Sequence, residues 1–188
     1  MIELPDRRVA LPNRALTESG ISPGSDVSVA VLEEAIGKYQ GPSARNDAGR
    51  FLEKSEHTAF QLHGYLLSRA YDPSVADDVV AWAREYGYID DLRYSRLYIR
   101  SHTDRSPMGT RRLKAELRKR GINNGIIAEA VTGREDEQLF DDLVAQVRKK
   151  YGSLDRDTAW RRAAGWLSRR GFESAFTYRV LQEAAFDQ

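Results

Sequence analysis

Several features that are common in proteins are missing from this chain of 188 residues, and each absence excludes a class of function. There is no cysteine, which excludes disulfide bridges and thiolate chemistry and fits a reducing compartment. There is no apolar run of transmembrane length, and residues 1–14 lack the apolar core of a signal peptide. We therefore expect a cytoplasmic protein that makes no membrane contact.

The common catalytic and metal-binding motifs are also missing. His57, His63 and His102 lack the i, i+4 spacing of a helical metal site, and the chain contains no zinc motif, phosphate-cradling glycine loop or GxSxG elbow. Adjacent aspartates on a helix point about 100° apart rather than converging on a metal ion. We expect no enzymatic activity and no cofactor or metal. A nuclease whose carboxylates come from distant segments is the less favoured alternative.

Charge is abundant in both signs, although the formal net charge is only +1. Charged residues make up 30% of the chain and are partly segregated along it, so local charge is more informative than the sum. Hydrophobic residues make up 41%, which is enough for a sizeable buried core. The composition therefore indicates a folded protein with locally charged surfaces.

A sequence pattern recurs three times at a spacing of about fifty residues, over 66–80, 117–131 and 167–181. In each copy a leucine is followed four positions on by a small residue and then by a large apolar residue. The three sets are Leu66, Ala70 and Tyr71; Leu117, Gly121 and Ile122; and Leu167, Gly171 and Phe172. Repeats of this kind predict stacked helical units whose extended surface contacts another large molecule.

The first forty or so residues differ from the rest because prolines and glycines interrupt them. The β-branched residues in 8–11 and 27–31 suggest a short hairpin, whereas Ser28 is equally well placed to cap a helix that runs to Tyr39. Gly41, Pro42 and Ser43 predict a break in the chain near Pro42.

Helical periodicity dominates after that break. Thr58 and Gln61 form a capping box, Asp72 and Pro73 fit an N-cap and first helical position, and Gly87 fits a helix end, after which Asp90 opens the next helix. The predicted spans are 44–54, 58–69, 72–86, 90–103, 109–120, 123–132, 135–151, 156–170 and 173–185. Nine helices over three repeats predict an all-α fold of three tandem three-helix units, each too small to be stable without its neighbours.

Basic residues cluster on the helix predicted over 109–120 and on the one predicted over 156–170. On the first, Leu113 and Leu117 point inward and the basic side chains point outward. The third repeat restates part of this pattern, because Arg161, Arg162 and two later arginines match basic positions in the second. The predicted contact residues are Arg100, Arg105, Arg111, Arg112, Lys114, Arg118, Lys119, Arg120, Arg161, Arg162, Arg169 and Arg170.

These basic faces admit two interpretations. Charge runs usually only solvate a helix surface, but recurrence in two repeats favours a partner with regularly spaced negative charge, namely nucleic acid or a protein filament assembled on it. Guanidinium groups bind phosphate and carboxylate alike, so DNA and an acidic protein surface both stay open. The acidic segments 77–78, 90–91 and 135–137 fit helix N-termini, and Trp82 and Trp166 are predicted to be core residues rather than base-stacking ones.

The segment 87–94, which reads Gly-Tyr-Ile-Asp-Asp-Leu-Arg-Tyr, closely resembles the signature of the RecX family of bacterial regulators of the RecA recombinase. The resemblance covers the chain from about Ala44 to the C-terminus, and similarity in the leader is weaker. Gln61 and Ala70 depart from the glutamate and glycine that are common in the family. The other matching residues are Glu56, His57, Thr58, Leu62, Leu113, Glu116, Leu117, Lys119, Arg120, Gly121, Ile122, Leu167, Arg170, Gly171 and Phe172.

This resemblance implies a curved, elongated stack of three helical repeats that lies in the groove of the RecA filament on DNA and modulates, usually inhibits, its ATPase and strand-exchange activity. The expected partners are the RecA filament and single- or double-stranded DNA, contacted directly or through the filament. The expected divisions are a leader over 1–42 and repeats over 43–88, 89–133 and 134–188. A general DNA-binding helical module without a recombinase partner is the alternative.

Overall fold

The computed structural model describes residues 2–3, 8–9, 11, 13–22, 24, 26–104 and 107–186. The described chain is mostly helical, as predicted. Two short antiparallel strands, β1 (Ile2–Glu3) and β2 (Arg8–Val9), come first. The helices are α1 (Asn13–Glu18), α2 (Val29–Leu52), α3 (Ala59–Ser68), α4 (Pro73–Glu85), α5 (Asp91–Asp104), α6 (Thr110–Lys119), α7 (Asn124–Ala130), α8 (Phe140–Tyr151), α9 (Arg156–Arg169) and α10 (Ser174–Ala184).

The chain divides into two compact units, unit 1 (Met1–Tyr94) and unit 2 (Ser95–Gln188), and the division falls within α5. In unit 1, α2 packs against α3 and α4 around buried residues that include Leu32, Leu62 and Val79. In unit 2, α8 and α9 pack against α10 around residues that include Leu143 and Leu167. The division into three repeats at the boundaries given above stays a prediction.

The predicted break at Pro42 is wrong, because Pro42 lies inside α2. A proline in a helix interior removes a hydrogen bond and costs about 3 kcal/mol. The cost is offset by a buried stripe that continues across Pro42 at every fourth residue, so the packing of one face holds the helix together. This stripe consists of Leu32, Ile36, Gln40, Ala44 and Ala48. The helix predicted over 44–54 is therefore only the second half of α2.

The suggested short hairpin is present, but residues 27–31 do not form one of its strands. Residues 8–9 pair instead with Ile2–Glu3. The alternative prediction, that Ser28 caps a helix, is confirmed, because the Ser28 side chain accepts a hydrogen bond from the Val31 N–H (3.4 Å) at the start of α2. Val29 and Val31 are exposed while Leu32 is buried, so packing of the helix outweighs the strand preference of the β-branched residues.

The helix boundaries predicted from capping signals are confirmed from α3 onward. Thr58 and Gln61 form the capping box of α3, and the Asp72 side chain caps α4 at Ser74. The Asp90 carboxylate accepts hydrogen bonds from the Leu92 and Arg93 N–H groups (2.9 Å each) at the start of α5. One refinement is needed, because the segment predicted as a helix over 135–151 begins with a 3-10 turn at Asp136–Leu139 before α8.

No helix among the described residues combines the length and the apolar character needed to cross a lipid bilayer.

Candidate functional site

The basic helix α6 is held in place from both ends. Leu113 and Leu117 are fully buried, which turns the basic residues of the helix outward. Its N-cap, Gly109, has no side chain, and the Asp136 carboxylate accepts the Thr110 N–H instead (3.0 and 3.2 Å) together with the Thr110 hydroxyl (2.8 Å). A negative charge at a helix N-terminus also interacts favourably with the helix dipole.

The start of α6 lies directly against the end of α9. The Gly109 N–H donates to the Arg170 carbonyl (2.9 Å). A Cβ on Gly109 would lie 2.5 Å from the Gly171 carbonyl carbon, and a Cβ on Gly171 would lie 2.3 Å from the Cβ of Arg112. Two glycines therefore permit a backbone approach that brings the basic ends of α6 and α9 together within unit 2.

Three of the predicted contact arginines hold this junction together. Arg111 Nη2 donates to the Ser168 carbonyl (3.2 Å), and Arg112 Nη1 donates to the Arg169 carbonyl (3.0 Å). Arg170 Nη1 donates to the Pro107 carbonyl (3.0 Å). The last carbonyls of a helix have no partner within the helix, and cationic side chains satisfy them favourably. These arginines thus have a structural role, as the cap of α9 and as a tie to the loop before α6.

The junction concentrates positive charge. The Arg170 guanidinium is half-buried and lies 4.3 Å from the centre of the Trp166 ring. Burial lowers the pKa of Arg170 from its ordinary value, and the nearby positive charge of Arg112 lowers it further. The two guanidinium groups therefore repel each other across the backbone contact.

At the other end of α6, Lys119 and Arg120 are paired with an acid of the same helix. Glu116 accepts from Lys119 Nζ (3.3 Å) and from Arg120 Nη1 (3.1 Å), and these hydrogen bonds lower the pKa of its carboxyl group, with Arg120 contributing most. The Arg120 guanidinium also lies 4.4 Å from the centre of the Tyr98 ring. Exposed pairs of this kind are weak, so Lys119 can exchange its partner at small cost.

The remaining predicted contact residues are less constrained. Arg118 is exposed and donates to Asn124 Oδ1 (2.9 Å). Arg105 lies outside the described residues. Five predicted contact residues form no ion pair within the described part of the chain: Arg100, Lys114, Arg161, Arg162 and Arg169. Of these, Lys114 is half-buried and the other four are exposed.

Unit 2 carries further exposed basic residues that the sequence did not predict as contacts. Lys149 and Lys150 are exposed in the last turn of α8, and Lys150 Nζ lies 5.3 Å from the centre of the Trp166 ring. Arg156 is exposed at the start of α9. The signal for them was the basic run 148–150, which carries no repeat symmetry. With these residues, unit 2 has 19 basic and 13 acidic residues, a net charge of +6, whereas unit 1 has 10 and 15, a net charge of −5.

The residues of the family signature build the frame of unit 1. Gly87 has a φ of 72° after α4, and Ile89 is buried behind it. The buried Asp91 carboxylate accepts the Ala59 N–H (3.0 Å) at the start of α3 and an Arg84 N–H (3.1 Å). These residues fix the turn between α4 and α5 and tie α5 to α3.

The aromatic residues partly confirm the core prediction. Trp82 is half-buried and packs against the core of unit 1, while Trp166 and Trp160 do so in unit 2. No group of three or more His, Asp or Glu side chains placed to hold a metal ion occurs among the described residues.

Comparisons with known proteins identify the family. A sequence model of the second three-helix domain of RecX matches residues 90–131, which span α5, α6 and α7. The chain is 31% identical to a regulatory protein RecX of Clostridium tetani over 154 residues, which cover 79% of this chain and 70% of that one. It is 34% identical to a regulatory protein RecX of Halorhodospira halophila, with coverages of 69% and 81%.

Solved structures agree on the fold. A crystal structure of a regulatory protein RecX is similar with a TM-score of 0.70 at 18% identity, over 92% of this chain and 86% of that one. The crystal structure of RecX from Lactobacillus salivarius is similar with a TM-score of 0.69 at 19% identity, over 77% and 96%. The fold of these neighbours and the sequence identity of the relatives lead to one conclusion: this chain belongs to the RecX family.

Proposed function

We propose that this protein regulates the RecA recombinase by binding the RecA–DNA filament, and that it inhibits the filament's ATP hydrolysis and strand exchange. Membership of a family of regulatory proteins supports a regulatory role. The observation that carries the proposal is the net charge of +6 on unit 2, with exposed arginines on α9 that form no ion pair among the described residues. The proposed setting is the cytoplasm, without a catalytic role.

The physical basis is a set of several weak contacts that act together. Arginine binds phosphate and carboxylate groups in bidentate fashion, and a filament on DNA presents both at regular intervals. Contacts from linked sites add up to a much higher affinity than any one of them gives. A protein held in this way across neighbouring protomers would hinder the changes that accompany ATP turnover, which is the proposed route to inhibition.

The test is RecA's DNA-stimulated ATP hydrolysis while this protein is titrated in. The test variant should not alter Arg111 or Arg112, because they cap α9. The triple reversal Arg161→Glu, Arg162→Glu and Arg169→Glu is better, since these side chains are exposed and unpaired among the described residues. The matched control reverses three basic residues of unit 1, in the substitutions Lys38→Glu, Arg50→Glu and Lys54→Glu.

We expect inhibition by the native protein and by the control, and a large loss of inhibition in the α9 variant with an unchanged helical circular dichroism spectrum. Equal inhibition by both variants would contradict the role of α9. No inhibition by the native protein, together with salt-sensitive binding to bare DNA, would show the alternative, a general DNA-binding module, because the charge of unit 2 suits bare DNA as well.

A further inference from the structure

A groove on unit 2 lies between α9 and α10, beside the junction described above, with which it shares Arg111 and Ser168. It has a volume of about 280 Å³. Its floor is apolar, because Phe172 and Leu181 line it and are each only 2% exposed. The walls carry Trp160 and Tyr178, whose ring centres lie 5.7 Å apart at an angle of 72°. The remaining lining residues are Arg111, Ala164, Ser168, Ser174 and Thr177.

Thr177 is the unusual member of this lining. It is only 8% exposed, and its hydroxyl has no hydrogen-bond partner among the residues that the structure describes. A buried hydroxyl without a partner is unfavourable, and native proteins contain few such groups. Thr177 lines the groove, and its hydroxyl oxygen is enclosed by its neighbours, so a ligand that opens this part of the lining as it binds would supply the missing partner.

The rim of the groove is positively charged. Arg111 lines one end, and a second groove of about 340 Å³, which shares Trp160, Tyr178 and Leu181, carries Arg156 at the other. The N-terminus of α10 also lies at the groove, because Ser174, the first residue of α10, lines it. The N-cap residue of α10, Glu173, makes no side-chain capping bond. No acidic residue lines either groove among the described residues, and the nearest acids in sequence are the exposed N-caps Asp155 and Glu173.

We propose that this groove binds an acidic peptide segment of a protein partner, with one large apolar side chain inserted between Phe172 and Leu181. The carboxylates of the segment would lie against Arg111 and Arg156, and a backbone group would bond the Thr177 hydroxyl. A nucleobase suits the site less well, because its polar edge would face the apolar floor and lose its hydrogen bonds. The inference rests on the proposed function only for the source of the peptide, which would be the filament protein.

The experiment uses the full chain and fluorescence anisotropy of a labelled short peptide in which aspartates and glutamates flank one leucine. Two control peptides replace the leucine by serine or the acids by glutamine, and a thymidine oligonucleotide serves as a nucleic-acid competitor. We expect the native protein to bind the acidic leucine peptide at least ten-fold more tightly than either control peptide, and the oligonucleotide not to displace it from the groove.

Two variants test the groove itself. Ala164→Phe fills it and should abolish peptide binding, whereas the matched control Ala145→Phe, at an exposed position of α8 that does not line the groove, should leave binding nearly unchanged. Thr177→Val removes the unpartnered hydroxyl without changing the shape, so it should raise the melting temperature and yet weaken peptide binding about five-fold. A purely structural threonine would show the opposite change in stability and no change in binding.

The outcomes separate this inference from the proposed function. Failure of the native protein to bind the acidic leucine peptide overturns the inference, even where RecA is inhibited. The inference is also overturned if the native protein prefers the oligonucleotide to the peptide and Ala164→Phe abolishes binding of the oligonucleotide. A third outcome is that the native protein binds the peptide, Ala164→Phe does not, and RecA is not inhibited. This outcome supports the groove and overturns the proposed function.

Discussion

The three small residues of the sequence repeat do the same job at the ends of α3, α6 and α9. Each adopts a left-handed backbone, with φ of 60° at Ala70, 78° at Gly121 and 87° at Gly171. In each case the N–H of the next residue donates to the carbonyl oxygen of the repeat leucine, five positions earlier, at 3.2 or 3.3 Å. This is the Schellman arrangement that ends a helix, and the large apolar residue after it is held against the core. The repeat detected in the sequence is thus a repeated helix ending.

Ala70 is the strained member of this set, since a residue with a Cβ in the left-handed region costs about 1–2 kcal/mol relative to glycine. We predict that Ala70→Gly raises the free energy of unfolding by about 1 kcal/mol, because relief of the strain exceeds the added flexibility of the unfolded chain. Urea denaturation followed by circular dichroism measures this difference. Substitution of glycine for Ala81, which is exposed inside α4, should lower stability instead and serves as the control.

Gly171 is restricted by space as well as by its backbone. A Cβ there would lie 2.3 Å from the Cβ of Arg112 and 2.6 Å from the Arg112 backbone nitrogen, whereas a Cβ on Gly87, whose φ is 72°, would meet nothing within 4 Å. We predict that Gly171→Ala destabilises the protein by about 3 kcal/mol or more, since backbone must move, and Gly87→Ala by only about 1 kcal/mol. Comparable losses in melting temperature would contradict the close approach.

Tyr71 makes the free energy of unfolding depend on pH in the alkaline range. Burial raises its pKa from an ordinary value of 10.0 to about 12, and its hydrogen bond to Asp47 Oδ2 (2.9 Å) adds to the rise. The folded protein therefore keeps the phenol proton that the unfolded chain releases, so this contribution is intact below pH 10 and is lost as the pH rises towards 12. Tyr71→Phe should flatten the fall in unfolding free energy over that range, and the exposed Tyr86→Phe should not.

At the scale of elements, one device appears in both units. An aspartate at the start of a later element accepts the first N–H of an earlier helix: Asp91 of α5 for Ala59 of α3, and Asp136 before α8 for Thr110 of α6. Each bond satisfies a donor that the helix cannot satisfy itself and fixes the later element against the earlier one. Two of the acids predicted to lie at helix N-termini, Asp91 and Asp136, therefore cap helices distant in sequence, whereas Asp90 caps its own helix.

Removal of one such aspartate tests the device. We predict that Asp136→Ala lowers the free energy of unfolding by about 1–2 kcal/mol, the range for loss of an N-cap. Hydrogen exchange should speed up at the first amides of α6, where the bond is lost. The neighbouring Glu135→Ala is the control, because Glu135 is exposed and makes no side-chain capping bond. An equal loss in both variants would show a general charge effect rather than capping.

The sequence predicted most element boundaries because capping residues announce them locally. Thr58, Asp72 and Asp90 each cap the helix that their side chains predicted. The predictions from Pro42 and from the valines in 27–31 were wrong for the opposite reason. The burial of one face of α2 outweighs their local preferences, and no local signal reports that packing. Local chemistry is thus a good guide to a helix end and a poor guide to a helix that tertiary packing extends.

The same limit applies to the candidate site at the scale of the whole molecule. The predicted outward basic face of α6 is confirmed for Arg118 and Lys119, which are exposed, whereas Arg112 is half-buried. The sequence could not show that Arg111, Arg112 and Arg170 bind carbonyls, because that depends on the contact of Gly109 with Gly171. The division of charge, −5 on unit 1 and +6 on unit 2, follows from counting once the boundary at Tyr94 is known.

This division predicts that bare single-stranded DNA binds through unit 2 and that the binding weakens with salt. Each phosphate contact adds about 0.7 to the slope of log affinity against log salt concentration. Replacing Arg161, Arg162 and Arg169 by glutamine should therefore make that slope shallower by about 2, if all three contact phosphates. The same replacement of Lys38, Arg50 and Lys54 removes equal charge from unit 1 and should leave the slope unchanged. Equal changes in the two variants would mean that DNA responds to total charge and not to the face of α9.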